Sequence, residues 1–321
     1  MGHTLLSLKN ISKNYPGVQA LDEVNFDLAK GEIHALVGEN GAGKSTLMKI
    51  LAGAEAREEG EIFLEGTPIE IPTPLKAQEL GISMIFQEFN LVPYLSVAEN
   101  IFLGRPPVKG PLKLVDWKTM QAHARSLIQE LGIELDVTTT VEKLSMAQGQ
   151  MVEIAKALSL KSRILIMDEP SAPLPQFELE NLFNLIRRLR GQGLGIIYIS
   201  HRLDEVFGIA DRVTVMRDGR KIRTHQTSKI SRHILIREMI GRDLVEEYPR
   251  QSQAKGPPIL SVQSLTSGTK LTDISFTLYR NEILGITGLV GAGKTGLARA
   301  IFGDLSIDRG EISFEGKKLS L

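Results

Sequence analysis

Cysteine is absent from all 321 residues, which excludes a disulfide scaffold, Cys-ligated zinc, iron–sulfur clusters and a thiol nucleophile. An excess of either charge is lacking too. Lys and Arg total 38 against 38 Asp and Glu, which argues against a chain whose main task is neutralising a nucleic-acid backbone. No run of about 18 or more apolar residues occurs, so nothing reads as a bilayer-spanning helix. The opening MGHTLLSLKN lacks the long apolar core and cleavage site of a signal peptide. The expectation is a soluble, cytoplasmic chain. What is present suffices for a core: 42 % apolar and 24 % charged residues describe a globular protein, and the length suggests two domains.

Self-comparison exposes a tandem duplication. Gly38-Glu39-Asn40-Gly41-Ala42-Gly43-Lys44-Ser45 returns as Gly288-Leu289-Val290-Gly291-Ala292-Gly293-Lys294-Thr295, an offset of 250. Leu21, Phe26 and Leu28 map at that offset to Leu271, Phe276 and Leu278, and Gly60-Glu61-Ile62 to Gly310-Glu311-Ile312. Upstream, Leu6 aligns with Leu260 at an offset of 254, so the second copy is four residues shorter just before Leu271. The chain is expected to hold one whole unit and the opening of another, truncated early in the second. The organisation read from this is a first unit over 4–245, a linker over 246–258 containing Pro249, Pro257 and Pro258, and a second, incomplete unit over 259–321.

Within the first unit, Leu5–Ile11 and Val24–Leu28 alternate like half-buried strands, and Ile33–Val37 is a short apolar run leading into the glycine loop. Ser45–Leu51 reads as a helix. Asp116 is a candidate N-cap for a helix over Trp117–Leu131, with Met120, Ala124, Leu127, Ile128 and Leu131 on one face and Gly132 as the stop. Ile164–Met167 and Gly195–Ile199 read as buried strands alternating with helices over Glu178–Arg190 and Leu203–Ala210. The pattern predicts an α/β fold with a mainly parallel sheet, preceded by a β-rich segment and interrupted by a helical insert near 95–160.

The chemistry begins at Gly38. A strand, then Gly-x4-Gly-Lys-Ser, then a helix is the phosphate-cradling arrangement known as a Walker A loop. Its glycines let backbone N–H groups turn onto phosphate oxygens, and the helix N-terminus adds partial positive charge. Lys44 is the candidate for the β- and γ-phosphates and Ser45 for Mg²⁺. Arg163-Ile164-Leu165-Ile166-Met167-Asp168-Glu169 is an apolar strand ending in two carboxylates. An Asp there can hold Mg²⁺ through water, and the adjacent Glu can polarise an attacking water.

With these two motifs the chain resembles the nucleotide-binding domain of ATP-binding-cassette (ABC) proteins over 4–245, and again over the opening part from 259 to 321. The resemblance implies a P-loop NTPase core with an antiparallel β subdomain and a helical insert. It also assigns roles to further residues. Tyr15 matches the aromatic that stacks on adenine, Gln87 the residue that touches Mg²⁺ and couples to a membrane partner, and His201 the switch histidine at the γ-phosphate. Ser145-Met146-Ala147-Gln148 stands in the place of the family signature, which serves the ATP of an opposite cassette. ATP contacts are implied for Gly38 through Thr46, with Gln87 and Asp168; Mg²⁺ for Ser45, Gln87 and Asp168; and catalysis for Lys44, Glu169 and His201. Gly288, Gly291, Gly293, Lys294 and Thr295 form a second phosphate loop. At finer grain the motifs are similar to those of fused two-cassette ATPases of monosaccharide importers. That implies membrane permease subunits and, indirectly, a sugar-binding protein as partners, a place on the inner face of the cell membrane, and no nucleic acid.

Two departures from the family pattern stand out. Met146 and Ala147 replace the signature glycines, putting side chains where backbone must approach phosphate closely. The loop after the carboxylates reads Ala172-Pro173-Leu174-Pro175, without the usual carboxylate. In the second copy the shortening before Leu271 removes any counterpart of Tyr15. Sites of this family form between cassettes, in cis or in trans, so the chain is expected to bind nucleotide well and hydrolyse it poorly. A tandem cassette without a membrane partner and a nucleotide-sensing module are the alternative readings. The basic run Arg217–Arg237 is expected to be a solvated face.

Overall fold

Two alternating segments, Thr4–Tyr15 (β1) and Val18–Ala29 (β2), pair antiparallel across the Pro16-Gly17 turn. The computed structural model describes residues 3–87, 89–172, 174, 176–241, 255–269, 271–288 and 291–319, in two units, Met1–Leu244 and Val245–Leu321. The alternation of β1 shifts phase at Asn10, which has φ 51°: Leu8 faces Phe26, but the next pair is Ile11 with Val24. This bulge lets Leu6, Leu8 and Ile11 all reach the core. It also dictates a glycine on the neighbouring strand Glu59–Leu64 (β4), because a Cβ on Gly60 would lie 2.5 Å from the carbonyl oxygens of Lys9 and Asn10. With Thr67–Ile69 (β5), these strands form a sheet in the order β2-β1-β4-β5.

The second sheet has six strands, Ile33–Val37 (β3), Ile82–Ile85 (β6), Ile164–Asp168 (β9), Gly195–Ile199 (β10), Arg212–Arg217 (β11) and Arg220–Gln226 (β12), in the order β12-β11-β3-β10-β9-β6. All neighbours are parallel except β11 and β12. Its central strands are covered on both faces, hence their continuous apolar runs. Leu165, Met167, Ile196 and Tyr198 face a core shared with the helical insert, whereas Ile164, Ile166, Ile197 and Ile199 face one shared with the antiparallel sheet. Lys44–Leu51 (α1) lies in that second layer, and the short helix Pro74–Glu79 (α2) packs into the same core through Ala77.

The insert consists of Val97–Ile101 (α3), a small hairpin of Val108–Lys109 (β7) with Leu114–Val115 (β8), Trp117–Glu130 (α4) and Met146–Leu158 (α5). Asp116 caps α4 by accepting the Thr119 N–H at 3.2 Å, and Met120, Ala124 and Ile128 are buried, as the sequence leads one to expect. Gln176–Gly191 (α6), Leu203–Ile209 (α7) and Arg232–Ile240 (α8) complete the unit. Among the elements not anticipated are three strands of the six-stranded sheet, β6, β11 and β12. The last is an antiparallel edge strand built from the basic run, whose arginines are largely paired: Arg223 and His225 with Glu238, and Arg220 with Asp22.

The second unit repeats the first sheet. Pro258–Ser267 (β13), Leu271–Tyr279 (β14), Arg309–Phe314 (β15) and Lys317–Lys318 (β16) take the order β14-β13-β15-β16, with Lys294–Phe302 (α9) alongside. Its bulge recurs at Ser264, φ 46°, and Gly310 again fills the place where a Cβ would strike backbone. Residues 282–288, the counterpart of β3, form no strand among the described residues. Ile283 is fully exposed, whereas Ile33 is fully buried in β3, which β10 and β11 flank.

Candidate functional site

The carboxyl ends of β3, β6, β9 and β10 lie along one edge of the parallel sheet, where open α/β sheets take ligands. β3 is buried along its length and runs into the loop at Gly38. At Gly43 the backbone has φ 96°, and a Cβ would meet the Ala20 carbonyl at 2.6 Å. Glycine is therefore required both for the turn and for the seat of the loop on β2. Glu39, Asn40, Gly41 and Ser45 are exposed, Thr46 is half-buried and Ala42 is buried. Lys44 opens α1, and its Nζ donates to the Gly38 and Glu39 carbonyls at 2.8 and 2.9 Å. Burial holds its pKa below the ordinary lysine value, opposed by Glu169 and then Asp168.

Asp168 is the last residue of β9. Burial raises its pKa, the neighbouring Glu169 adds to that, and Lys44 and Lys49 oppose it. Glu169 follows in the left-handed region, φ 47°, a conformation that costs a non-glycine residue on the order of 1–3 kcal/mol and is retained where its neighbours fix it. Here the Glu169 N–H donates to the Ile199 carbonyl at 3.0 Å. Since β9 and β10 pair with Asp168 opposite Ile199, the residues just beyond are brought side by side: His201 Nδ1 lies 2.8 Å from Glu169 Oε1. From the end of β6, Gln87 Nε2 donates to Glu169 Oε2 at 3.3 Å. An open groove passes Ser45, Lys49, Phe86, Gln87, Glu153 and Asp168. Asn90, three residues beyond Gln87, is tied to α5 through Glu153 Oε1 and Lys156 Nζ.

Tyr15 sits at the end of β1, over a third exposed. Its phenol is held above the usual value by partial desolvation and then by Glu55, with a hydrogen bond to Thr46 acting the other way. That places the ring edge beside the start of α1. Ser145, Met146, Ala147 and Gln148 stand apart from this group. Ser145 N-caps α5 in a capping box with Gln148, and Ser145, Ala147 and Gln148 line a different cavity with Leu131, Leu174 and Arg188. The Met146 side chain is 58 % exposed at that helix start. Glu88, Pro173 and Pro175 lie outside the described residues, as do Leu289, Val290 and residues 246–254 of the linker expected over 246–258, whose last residue Pro258 opens β13.

In the second unit, Gly291, Gly293, Lys294 and Thr295 line a cavity with Ser267, Gly268, Thr269 and Arg299, and no aromatic side chain is among its lining residues. Lys294 Nζ donates to the Gly288 carbonyl, repeating the Lys44 contact. Sequence reading overlooked Lys49, a wall of the first groove, and Glu205, a buried carboxylate. Glu205 falls with Val206 and Ile209 on the inner side of α7, and a charge on an apolar stripe was the available signal.

Comparison with known proteins follows the same lines. Residues 21–172 and 271–321 match the ABC transporter family. The chain is 50 % identical over 318 residues to a putative ribose/galactose/methyl galactoside import ATP-binding protein of Agrobacterium fabrum, covering 99 % of this chain and 63 % of that protein. It is 50 % identical over 315 residues to a ribose import ATP-binding protein of Rubrobacter xylanophilus, covering 98 % and 62 %. The chain thus spans about three fifths of the length of these relatives. Among solved structures, an ATP-binding cassette of an ABC transporter in its ADP conformation superposes with a TM-score of 0.65 at 26 % identity, covering 74 % of this chain and 99 % of that one. A nucleotide-free cassette gives the same score and identity over 76 % and 98 %. The α/β architecture expected from the sequence is the one these cassettes share.

Proposed function

The chain belongs to the ABC transporter family, and from that premise we propose that it binds ATP on Gly38–Thr46 and serves, within a longer protein or an assembly, to energise uptake of a monosaccharide. The observation that carries this reading is the meeting of Lys44, Gln87, Asp168, Glu169 and His201 at one edge of the parallel sheet. Residues 4–245 form the first cassette, with its helical insert near 95–160, and 259–321 belong to a second. The relatives' names, which refer to ribose and galactose import, support the substrate class without choosing the sugar.

The reaction is ATP + H2O to ADP and phosphate. Lys44 brings a full positive charge to the β- and γ-phosphates. Tyr15 offers a ring face to adenine. Glu169 orients the attacking water and accepts its proton, and His201, beside the same carboxylate, contacts the γ-phosphate. Among the described residues no three His, Asp or Glu side chains gather to hold a metal by themselves. A single half-buried Asp168 with the Ser45 hydroxyl and the Gln87 amide oxygen is a hard-oxygen set that suits Mg²⁺ shared with phosphate. Mg²⁺ there would neutralise charge on the β- and γ-oxygens.

Met146 and Ala147 place side chains at the start of α5, which supports slow turnover by this chain unless another cassette supplies a glycine signature. Phe86, Val92 and Tyr94 are exposed around the Gln87–Leu95 segment, which fits docking on permease subunits. Among the described residues no helix is long and apolar enough to cross a membrane, so attachment to the inner face of the membrane would be through such partners. Calorimetric titration with MgATP tests the core of this reading: no binding by the wild-type chain would overturn it.

A further inference from the structure

Behind the Glu169–His201 pair lies a carboxylate that touches neither. Glu205, on α7, is 2 % exposed. Its Oε2 accepts three hydrogen bonds, from Ser171 Oγ at 2.7 Å, Tyr198 OH at 2.8 Å and Ser200 Oγ at 2.9 Å. Its Oε1 faces Arg202 Nη1 at 2.9 Å. Ser171, Tyr198 and Ser200 are themselves buried. A buried charge is costly unless paired and hydrogen-bonded, and this one has three hydroxyl donors and a guanidinium. Burial and then Glu205 hold the Tyr198 phenol well above its usual pKa, hence a donor.

The donors are distributed in a telling way. Ser171 lies two residues after Glu169, in a tight turn closed by the Ala172 N–H on the Glu169 carbonyl at 3.1 Å. Ser200 immediately precedes His201, and its Oγ also accepts the Arg202 N–H at 3.0 Å. One carboxylate oxygen therefore fastens both backbone segments that carry the pair. This adds to the Glu169 N–H on the Ile199 carbonyl at 3.0 Å and the Gln87 contact, and it bears most on His201, whose side chain is 63 % exposed. Three buried hydroxyls on one carboxylate oxygen restrict the groups that donate them, and small displacements of reacting groups cost large factors in rate.

We propose that Glu205 is a positioning residue for hydrolysis: through Ser171 and Ser200 it holds Glu169 and His201 in register, so that the turn after β9 and the loop after β10 move as one body. This rests on the nucleotide reading above. The network could instead only stabilise the fold, and its third donor separates the two possibilities, because Tyr198 lies within β10 and fastens neither segment.

The test compares Glu205→Gln, Ser171→Ala, Ser200→Ala and Tyr198→Phe in the full chain. MgATP affinity, single-turnover hydrolysis and urea stability are measured for each. Ser171→Ala and Ser200→Ala are expected to slow hydrolysis about tenfold with affinity within about twofold of wild type. Glu205→Gln should slow it at least as much, and the serine double variant no more than Glu205→Gln, because the three act as a unit. Tyr198→Phe should lose stability but keep its rate. Equal rates in all four variants, or rate losses that track stability, would overturn the proposal. Amide exchange read over 169–172 and 200–202 should rise in both segments together in Glu205→Gln, and a rise in one alone also overturns it. Failure of the nucleotide reading would look different: the wild-type chain itself would not bind MgATP, while exchange would still report the coupling.

Discussion

His201 Nδ1 stands 2.8 Å from Glu169 Oε1, although 32 residues separate them in sequence. The distance follows from parallel pairing of β9 with β10, which sets Asp168 opposite Ile199 and leaves the next residues to meet beyond the sheet. The carboxylate and imidazole proposed as base and phosphate-sensing group are thereby held near the end of the loop-bearing strand β3, which pairs with β10 on its other side. The chemistry proposed for this chain depends on that junction, and the predictions below probe it from several sides.

Removing the charge of Lys44 should abolish nucleotide binding at the first loop. Lys44→Ala is made together with Lys294→Ala, which silences the second loop. Calorimetry is expected to detect no MgATP binding in the double variant, and unchanged affinity would refute the loop assignment.

Tyr15→Ala should weaken ATP and ADP alike, by roughly 1–3 kcal/mol, the scale of a base stacked on an aromatic ring. The lost contact is to the base, so the two nucleotides should suffer equally. A variant that loses ATP but keeps ADP would show that Tyr15 acts on the phosphates.

Turnover should depend on a partner signature. The chain alone is expected to hydrolyse bound ATP slowly, and a complete second cassette with a glycine signature, added in trans, should accelerate it. Glu169→Gln should remove that gain, by roughly 10²–10⁴-fold for loss of a general base, while MgATP affinity is retained. Brisk hydrolysis by the chain alone, insensitive to Glu169→Gln, would sink this account.

Acid should destabilise the first unit through His34. The ring is fully buried, with Nδ1 2.8 Å from the Asp27 carbonyl and Nε2 2.8 Å from Thr214 Oγ1. Burial, and then the Arg212 guanidinium, push its pKa down to about 3. The unfolded chain takes up this proton near the ordinary value of about 6.5, whereas the folded chain refuses it until about 3. Stability from this group is full above the unfolded value and drains away as pH falls through that window. At pH 5 the loss is roughly 2 kcal/mol relative to pH 8. Urea midpoints at the two pH values measure it, and His34→Gln should flatten the difference; an equal loss in that variant would assign the effect elsewhere.

What could be read from the sequence was local or repetitive. The Asp116 cap and the buried face of α4 follow from residues within one or two turns of each other. The loop Gly38–Ser45 declares itself by glycine spacing, and the carboxylates Asp168 and Glu169 by the apolar strand before them. The duplication is visible because both copies need the same special backbone, including the glycines at 60 and 310 that accommodate a bulge on a neighbouring strand. All these are constraints within a few residues, or copies of one.

The tertiary structure decided which strands are neighbours, and with that the site. Gln87 reaches Glu169 across 82 residues of sequence, and Ser171 reaches Glu205 across 34; no periodicity encodes such meetings. Ile33–Val37 is a central strand because β10 and β11, which begin only at Gly195 and Arg212, pair with it on either side; a strand is made by hydrogen bonds to partners and not by its own residues alone. The first part of the basic run, Arg220–Gln226, became an edge strand for the same reason, pairing with β11, and Arg220 and Arg223 meet carboxylates on other elements. Local propensity fixes what a segment can be; strand order and register, set by burial of the whole sheet, fix what it touches.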